Sequence, residues 1–261
     1  MTHEAMVARW LRGTGVEIGA FKYPIPGIRP FYVDRFSKYA GERCLADYWG
    51  DACELPFRDD SLDYVASSHL LEHVANPVAA FHEWVRVLRH GGIIYLIVPD
   101  RRHTWDHARE LTEPRHMIAD FERKTTQSDG THIADFVDNV DWSTYSPATP
   151  SAEVPDKKHE LKETYFAAIK AGKEINIHFH VFESSNLLAL VEDLKTYPGT
   201  HFDWQVVDQA ERFPANNPNG FLVVIRVAKP LRMRLNGWLN RWRTARNPGH
   251  PVLPGARRFE S

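Results

Sequence analysis

The chain has 261 residues, of which 43% are hydrophobic and 25% charged, and its formal net charge at pH 7 is −2. Its 8 Trp, 9 Tyr and 14 Phe residues supply ample apolar surface for a core, which excludes a largely disordered protein. The length favours one α/β domain with an insertion over two equal domains. Residues 229–261 carry eight Lys and Arg against one acid, a net +7, which leaves −9 on residues 1–228. We therefore predict no nucleic-acid partner for the body of the protein.

The cysteines and the apolar runs predict the cellular compartment. Cys44 and Cys53 form no C-x-x-C pair, which fits a reducing environment without a disulfide framework. The first eleven residues lack the apolar stretch of a secretory signal, and the longest apolar run, Ile93–Val98, is too short to cross a bilayer. We expect a soluble, cytoplasmic protein.

Short β-rich runs alternate with helical patterns over the first hundred residues. Strands are predicted at Val16–Ala20, Phe31–Asp34 and Leu62–Ser67, and a strand that is apolar throughout is predicted at Ile93–Val98. A helix is predicted from Asn76 to Leu88, because apolar residues recur on one helix face between an Asn-Pro start and a Gly-Gly stop. This succession predicts a doubly wound sheet.

The regular alternation stops where the last of these strands ends. Residues 100–182 contain seven of the 14 histidines and are predicted to be an insertion, in which Ser143–Lys158 forms a Pro- and Ser-rich loop. A helix is predicted at Ser185–Lys195, followed by strands at Phe202–Val207 and Phe221–Val227 that pair antiparallel. Insertions at the carboxyl edge of such sheets commonly build substrate sites.

Small and acidic residues follow the first strands at the spacing of a nucleoside-binding site. Glu17 lies in the first strand, and the turn Gly19-Ala20 lets the backbone approach a ligand closely. Asp34 ends the second strand, where it can accept hydrogen bonds from a ribose diol. After a third short segment, Asp51-Ala52 is placed to contact an adenine amino group.

These pieces and their spacing resemble the class I S-adenosylmethionine-dependent methyltransferases. The resemblance covers residues 16–100. It rests on Val16–Ala20, Tyr32–Asp34, Gly50–Phe57 with Leu62–Val65, Ser68–His73, and Arg86–Gly92. The resemblance implies S-adenosyl-L-methionine as the cofactor.

The resemblance also implies roles for individual positions. In the family, the glycine turn wraps the methionine part of the cofactor, the acid that ends strand two binds ribose, and an Asp-Ala pair meets adenine. Residues just after strand four lie near the sulfonium. The residues of this chain expected to bind the cofactor are Glu17, Gly19, Ala20, Asp34, Asp51, Ala52, Ser68 and His69.

The implied fold class is α/β, a Rossmann-like seven-stranded methyltransferase sheet that is mostly parallel with an antiparallel last strand. A helical and loop insertion is expected after strand five. Residues 1–99 would form the cofactor-binding half, 100–182 the acceptor site, and 183–228 the remainder of the methyltransferase domain. Residues 229–261 would form a basic amphipathic helix and tail, which would dock on its own domain, join a homodimer or contact an anionic membrane surface.

One segment departs from the family pattern. The usual glycine-rich turn reads G-x-G-x-G, whereas Gly19–Pro26 (GAFKYPIP) keeps the first glycine alone. Lys22 is a candidate for the charge that meets the methionine carboxylate. This turn, with Pro99–Asp106 and Ile177–Val181, resembles a bacterial subgroup often associated with glycan and lipopolysaccharide assembly.

Histidines and aromatic residues of the insertion are the candidates for the acceptor site. Alternation in Asn176–Phe182 predicts that two histidines share one face, where they can bind a divalent ion such as Mg²⁺, transfer a proton or hydrogen-bond a sugar. Each candidate has an alternative role in packing or at the solvated surface. The catalytic candidates are His132, His180 and Asp106, and the substrate candidates are His178, Trp105 and Tyr145.

A competing motif is present at His69–His73 (HLLEH), which matches the H-x-x-E-H pattern of inverted zinc peptidases. Asn76-Pro77 would end the long helix that such a site needs, and this disfavours zinc proteolysis.

The residues and the resemblance together predict one activity. We predict an O-methyltransferase that methylates a hydroxyl of a sugar or oligosaccharide in polysaccharide biosynthesis, with a histidine or metal-assisted general base. A methyltransferase acting on a non-sugar small molecule and a non-catalytic cofactor-binding scaffold are the alternatives.

Overall fold

The computed structural model describes residues 2–39, 41–200, 202–229 and 251–259. One sheet contains seven strands: β1 (Gly15–Ile18), β2 (Phe31–Asp34), β3 (Tyr48–Trp49), β4 (Leu62–Ser68), β5 (Leu88–Pro99), β6 (Asp203–Phe213) and β7 (Gly220–Ala228). Their order is β3-β2-β1-β4-β5-β7-β6. Neighbours from β3 to β5 are parallel, whereas β7 is antiparallel to both β5 and β6. The predicted seven-stranded sheet with an antiparallel last strand is confirmed.

Helices of the described residues accompany this sheet. They are α1 (His3–Trp10), α2 (Pro77–Val87), α3 (Pro114–Arg123), α4 (Ile133–Asn139), α5 (Trp142–Tyr145), α6 (Val154–Lys170) and α7 (Ser184–Thr196). The start of α2 follows the Asn-Pro signal, because the Asn76 side chain accepts a hydrogen bond from the Ala79 amide at 3.0 Å and Pro77 occupies the first turn. Residues 19–30 join β1 to β2 as a loop.

The central strands β4 and β5 are buried on both faces, as their apolar composition predicts. On one face, Val65 and Leu96 belong to the core with α2 and α7, where the Trp84 side chain is fully buried. On the other face, Tyr95 packs with Met6 of α1. The two covered faces give the carboxyl ends of the strands a rigid base, from which loops can carry a site.

The segment between β5 and α7 has a small core of its own, which includes Ile133, Phe136, Ile177 and Phe179. The predicted loop at Ser143–Lys158 is wrong at both ends, because Ser143–Tyr145 belong to α5 and the residues from Val154 onward belong to α6. Helix α6 begins at Val154, with Pro155 in its first turn, a position that suits proline. No residue of α6 is fully buried, and Leu161, Tyr165, Ala168 and Ile169, which pack against the insertion core, all lie after the Pro- and charge-rich first turns.

Residues 251–259 lie along β3, the edge strand of the sheet. The Trp49 amide donates to Arg257 O at 2.9 Å, and the Phe259 amide donates to Asp47 O at 3.2 Å. This pairing covers backbone groups that an edge strand would otherwise expose. The predicted C-terminal amphipathic helix falls mainly on residues 230–250, outside the described residues. Within the described part of the chain, no helix combines the length and apolar character needed to span a membrane.

Candidate functional site

A cavity of about 660 Å³ opens at the carboxyl ends of β1, β2 and β4. Its volume is in the range of small-molecule sites. The carboxyl ends of parallel strands meet at one edge of a sheet, and the fold thereby brings together residues that are far apart in the chain. Seven of the eight residues predicted to bind the cofactor line the cavity: Gly19, Ala20, Asp34, Asp51, Ala52, Ser68 and His69.

The turn after β1 requires a glycine at its start. Gly19 has a φ of +70°, and a Cβ at this position would lie 2.9 Å from Leu70 Cδ1. Its amide donates to Val33 O at 2.9 Å, which ties the turn to β2. One glycine therefore suffices to keep this backbone close to the cavity.

Glu17 is the predicted cofactor residue that does not line the cavity. Its side chain is fully buried, and Oε1 accepts a hydrogen bond from the Ile25 amide at 2.9 Å. Burial raises the pKa of Glu17 to about 7. Glu17 thus holds the loop that follows β1. Lys22, proposed above to meet the methionine carboxylate, is paired instead with Glu42, whose carboxylate oxygens lie 2.6 Å from Lys22 Nζ.

The raised pKa of Glu17 predicts a pH-dependent stability. The stabilising effect of its protonated form is complete below the ordinary pKa of 4.5 and is lost as the pH rises through about 7. Relative to wild type, Glu17→Gln is expected to gain up to about 3 kcal/mol in unfolding free energy between pH 5 and pH 8.5. Urea unfolding without cofactor measures this difference, with exposed Glu163→Gln as the control. A difference that does not change with pH contradicts the assignment.

Asp34 and Asp51 present carboxylates to the cavity. Asp34 Oδ1 accepts from the Phe36 amide at 2.9 Å, and burial raises the pKa of Asp34 above its ordinary value. Asp51 Oδ1 accepts from the Cys53 amide at 2.7 Å, and its Oδ2 lies 3.1 Å from Arg35 Nη1. These contacts fix both side chains, while a carboxylate has lone pairs left for a ligand.

Two histidines that follow β4 also line the cavity. His69 has a φ of +52°, and its Nδ1 lies 3.8 Å from Glu72 Oε1. His73 Nδ1 lies 3.1 Å from Ile177 O, to which it donates, and its Nε2 lies 3.8 Å from the same oxygen of Glu72. Burial lowers the pKa of His69, and it lowers the pKa of His73 to about 3. Both rings are therefore neutral at pH 7.

Glu72 lies between these histidines and the insertion. Its side chain is buried, Oε2 has no hydrogen-bond partner, and burial raises the pKa of Glu72 to about 7. Its backbone carbonyl accepts from the Phe179 amide at 2.7 Å, which joins the two parts of the molecule. Residues Leu71–His73 form a single 3-10 turn. The HLLEH motif therefore lacks the long helix that zinc peptidases of this pattern require.

Asp106, a predicted catalytic residue, is buried away from the cavity lining. Its Oδ2 lies 2.5 Å from His178 Nδ1, and its Oδ1 accepts from Arg109 Nη1 at 2.7 Å. Hydrogen bonding to His178 and the charges of His178 and Arg109 outweigh desolvation and lower the pKa of Asp106. Asp106 is therefore an ionised anchor for two neighbours in the insertion.

The residues predicted to contact substrate pack on one another behind the cavity. The ring of Trp105 lies 5.3 Å from that of His178 and 5.9 Å from that of Tyr145. None of the three lines the cavity. Of these three residues, His178 contacts the cavity wall: its ring centroid is 4.6 Å from that of His73, which lines the cavity.

His132 and His180, the other predicted catalytic residues, also lie away from the cavity lining. Both are buried beside Asp120, whose Oδ2 is 3.3 Å from His132 Nε2 and 3.8 Å from His180 Nε2. His178 and His180 therefore face different carboxylates. Two groups of side chains present metal-ligand atoms within 4.8 Å of one another: Glu72, His73 and His178, and His116, Asp120, His132 and His180.

Sequence reasoning missed a set of amide side chains in the cavity. They come from the insertion and from the loop between β6 and β7, so only folding brings them together. In the sequence, the Asn-rich stretch after Pro214 indicates a turn and nothing more. The amide residues that line the cavity are Gln127, Asn176, Asn216, Asn217 and Asn219.

Residues 33–96 match the model of a family described as "Methyltransferase domain". The matched stretch runs from β2 into β5 and contains Asp34, Asp51, His69 and His73. The match and the strand order define the class of protein: the chain is an S-adenosylmethionine-dependent methyltransferase. Its cofactor is S-adenosyl-L-methionine.

Solved structures of similar fold include three methyltransferases. One, from Thermotoga maritima, is described as a possible histamine N-methyltransferase; it has 18% identity and a TM-score of 0.45, over 87% of this chain and 88% of that chain. One from Methanosarcina mazei has 17% identity and a TM-score of 0.42, over 86% and 98%. One from Aquifex aeolicus has 9% identity and a TM-score of 0.41, over 87% and 89%. No curated protein matches the chain.

Proposed function

We propose that the protein transfers the methyl group of S-adenosyl-L-methionine to a hydroxyl oxygen of a sugar or oligosaccharide. The observation that carries this proposal is the composition of the cavity, in which five amide side chains accompany His69 and His73, both of them neutral. Amides donate and accept hydrogen bonds, as hydroxyl groups do, and a neutral imidazole accepts a proton. This set suits an uncharged acceptor with several hydroxyls.

The residues at the strand ends fit the cofactor. Gly19 and Gly50 line the cavity, and a side chain at either position would clash with the protein, since Cβ atoms there would lie 2.9 Å from Leu70 Cδ1 and 2.7 Å from Val33 Cγ1. In this proposal Gly19 cradles the methionine part, Asp34 accepts from the ribose hydroxyls and Asp51 meets the adenine. When bound, the cofactor supplies an electrophilic methyl group on a positively charged sulfur.

His69 is the proposed general base. Its Nδ1 is directed toward Glu72 at 3.8 Å, and the ring lines the cavity, so Nε2 is available to take the acceptor's hydroxyl proton. The buried Glu72, in its ionised form, would stabilise the protonated ring, as in other carboxylate–histidine pairs. His132, His180 and Asp106 lie off the cavity lining, so we place the proton transfer at His69 and assign those residues to the support of the insertion.

A direct assay of acceptor class tests the proposal. The protein is incubated with methyl-labelled cofactor and a panel of oligosaccharides, matched deoxy-sugars and small amines, and the products are analysed by mass spectrometry. Label on a sugar that disappears when one hydroxyl is removed supports O-methylation. Label on amines alone, or on no member of the panel while the cofactor binds, contradicts it, and the latter result favours the scaffold alternative.

A further inference from the structure

Four side chains of the insertion converge at a point away from the cofactor cavity. His116 and Asp120 lie one helical turn apart on α3, and His132 immediately precedes α4. His180 lies in the irregular segment before α7. Asp120, His132 and His180 are buried, whereas 47% of the His116 side chain is exposed. The four ligand atoms all lie within 4.8 Å of one another.

The distances between these atoms match four ligands around a single ion. The Nε2 atoms of His116 and His132 are 2.9 Å apart, and each lies 3.3 Å from Asp120 Oδ2. His180 Nε2 lies 3.8 Å from the same oxygen. Ligands at about 2.0–2.1 Å from a tetrahedral ion are roughly 3.3 Å from one another. His116, Asp120 and His132 therefore have the spacing of ligands in a tetrahedral centre, and His180 Nε2 lies slightly farther out.

Two buried polar atoms of this cluster lack hydrogen-bond partners, whereas His180 Nε2 makes a long contact of 3.4 Å with Ala75 O. Asp120 Oδ2 is buried without a hydrogen-bond partner, and His180 Nδ1 is likewise buried and unpartnered. A buried carboxylate oxygen without a partner is costly, because it has lost its hydration. Two imidazole lone pairs 2.9 Å apart repel unless a cation or a proton lies between them. A metal ion would bind the unpartnered Asp120 oxygen and would also remove the repulsion between the two imidazole lone pairs.

Outer hydrogen bonds hold two of the ligands in the orientation that coordination requires. Asp120 Oδ1 accepts from Arg123 Nη2 at 2.8 Å and from Thr125 Oγ1 at 3.1 Å, which leaves Oδ2 for the centre. His132 Nδ1 lies 3.0 Å from Thr131 Oγ1, so its Nε2 is directed to the centre. Such outer contacts are characteristic of metal sites.

We propose that His116, Asp120, His132 and His180 bind one divalent transition-metal ion of the Zn²⁺ type. Three imidazoles and one carboxylate favour such an ion over Mg²⁺, which prefers six oxygen ligands. Four protein ligands complete a tetrahedral shell, as in structural sites. The ion links α3, the start of α4 and the segment before α7, and it thereby stabilises the insertion beside the cavity. The proposal is independent of the acceptor proposed above.

Metal analysis tests the site directly. Untagged full-length protein is stripped with a chelator, reloaded with Zn²⁺, desalted and analysed by mass spectrometry of its metal content. Wild type is expected to hold one Zn²⁺ per chain, and Asp120→Asn and His132→Ala are expected to bind at least tenfold more weakly. His159→Ala, which removes an exposed histidine of α6, is the matched control and keeps the full metal content. Co²⁺ in wild type is expected to give the visible absorption of a tetrahedral complex.

A second variant separates loss of metal from loss of fold. His116 is half exposed, so His116→Ala is expected to remain folded by circular dichroism while its metal affinity falls at least tenfold. Chelation is expected to lower the melting temperature of wild type by about 10 °C and to leave that of His116→Ala nearly unchanged. Absence of bound metal in wild type, or equal metal content in wild type and His116→Ala, would overturn the proposal. Neither readout depends on methyl transfer.

Discussion

His69→Asn is expected to lower kcat by roughly 10²–10⁴-fold, the usual contribution of a general base. Asparagine tolerates the positive φ of +52° at this position, so the variant removes the proton acceptor without straining the turn. Initial rates with the best acceptor measure the effect. Calorimetric titration with S-adenosyl-L-homocysteine is expected to show nearly unchanged affinity, which separates proton transfer from cofactor binding.

The pH profile of the wild type provides a second test of His69. Burial and the nearby His178 lower the pKa of His69 below its ordinary 6.5, so the ring stays unprotonated, and kcat/KM stays high, at pH 6.5. The rate is expected to fall as the pH drops through that lowered pKa. His159→Asn, on the exposed face of α6, is the control and keeps wild-type rates. Activity of His69→Asn within twofold of wild type would remove His69 from the mechanism.

Asp34→Ala is expected to weaken binding of S-adenosyl-L-homocysteine by 10- to 100-fold, about 1.4–2.8 kcal/mol for one or two lost hydrogen bonds to the ribose. The side chain is held by the Phe36 amide at the end of β2 and lines the cavity, so its carboxylate is already placed for the diol. Isothermal calorimetry at constant pH and salt measures the change.

The matched control for Asp34 is Asp47→Ala. Asp47 also accepts a hydrogen bond from a backbone amide, that of Tyr32 at 2.9 Å, but it does not line the cavity. We expect Asp47→Ala to affect stability without changing cofactor affinity. Equal affinity of wild type and Asp34→Ala would show that the ribose lies elsewhere.

The cavity lining at the strand ends was predictable because each residue there is tied to a strand end. Gly19, Asp34 and Asp51 directly follow short apolar runs, and the carboxyl ends of parallel strands meet at one edge whatever the details of packing. Glu17 belongs to the same segment but points elsewhere: alternation along a strand places it on the face opposite Val16 and Ile18.

The places that the histidines of the insertion take in the structure could not be predicted from the sequence. His178 and His180 are two residues apart, yet one meets Asp106 and the other meets Asp120, because their segment belongs to no sheet and follows the shape of the insertion core. His73 lies in the segment Ser68–His73 that carries the family resemblance and in the zinc motif, but no cofactor or acceptor role was predicted for it. Its place on the cavity depends on the 3-10 turn at Leu71–His73.

Local pattern by itself determined the sheet, the start of α2 and the chemistry at the strand ends, because these depend on periodicity, capping and strand polarity, which neighbouring residues specify. Tertiary structure alone decided which histidines reach the cavity and which converge on Asp120. Those outcomes depend on contacts between residues far apart in the chain, such as His73 with His178 and His116 with His180. Burial, which folding imposes, shifts the pKa values of Glu17, Glu72, His69 and His73 and so sets their protonation.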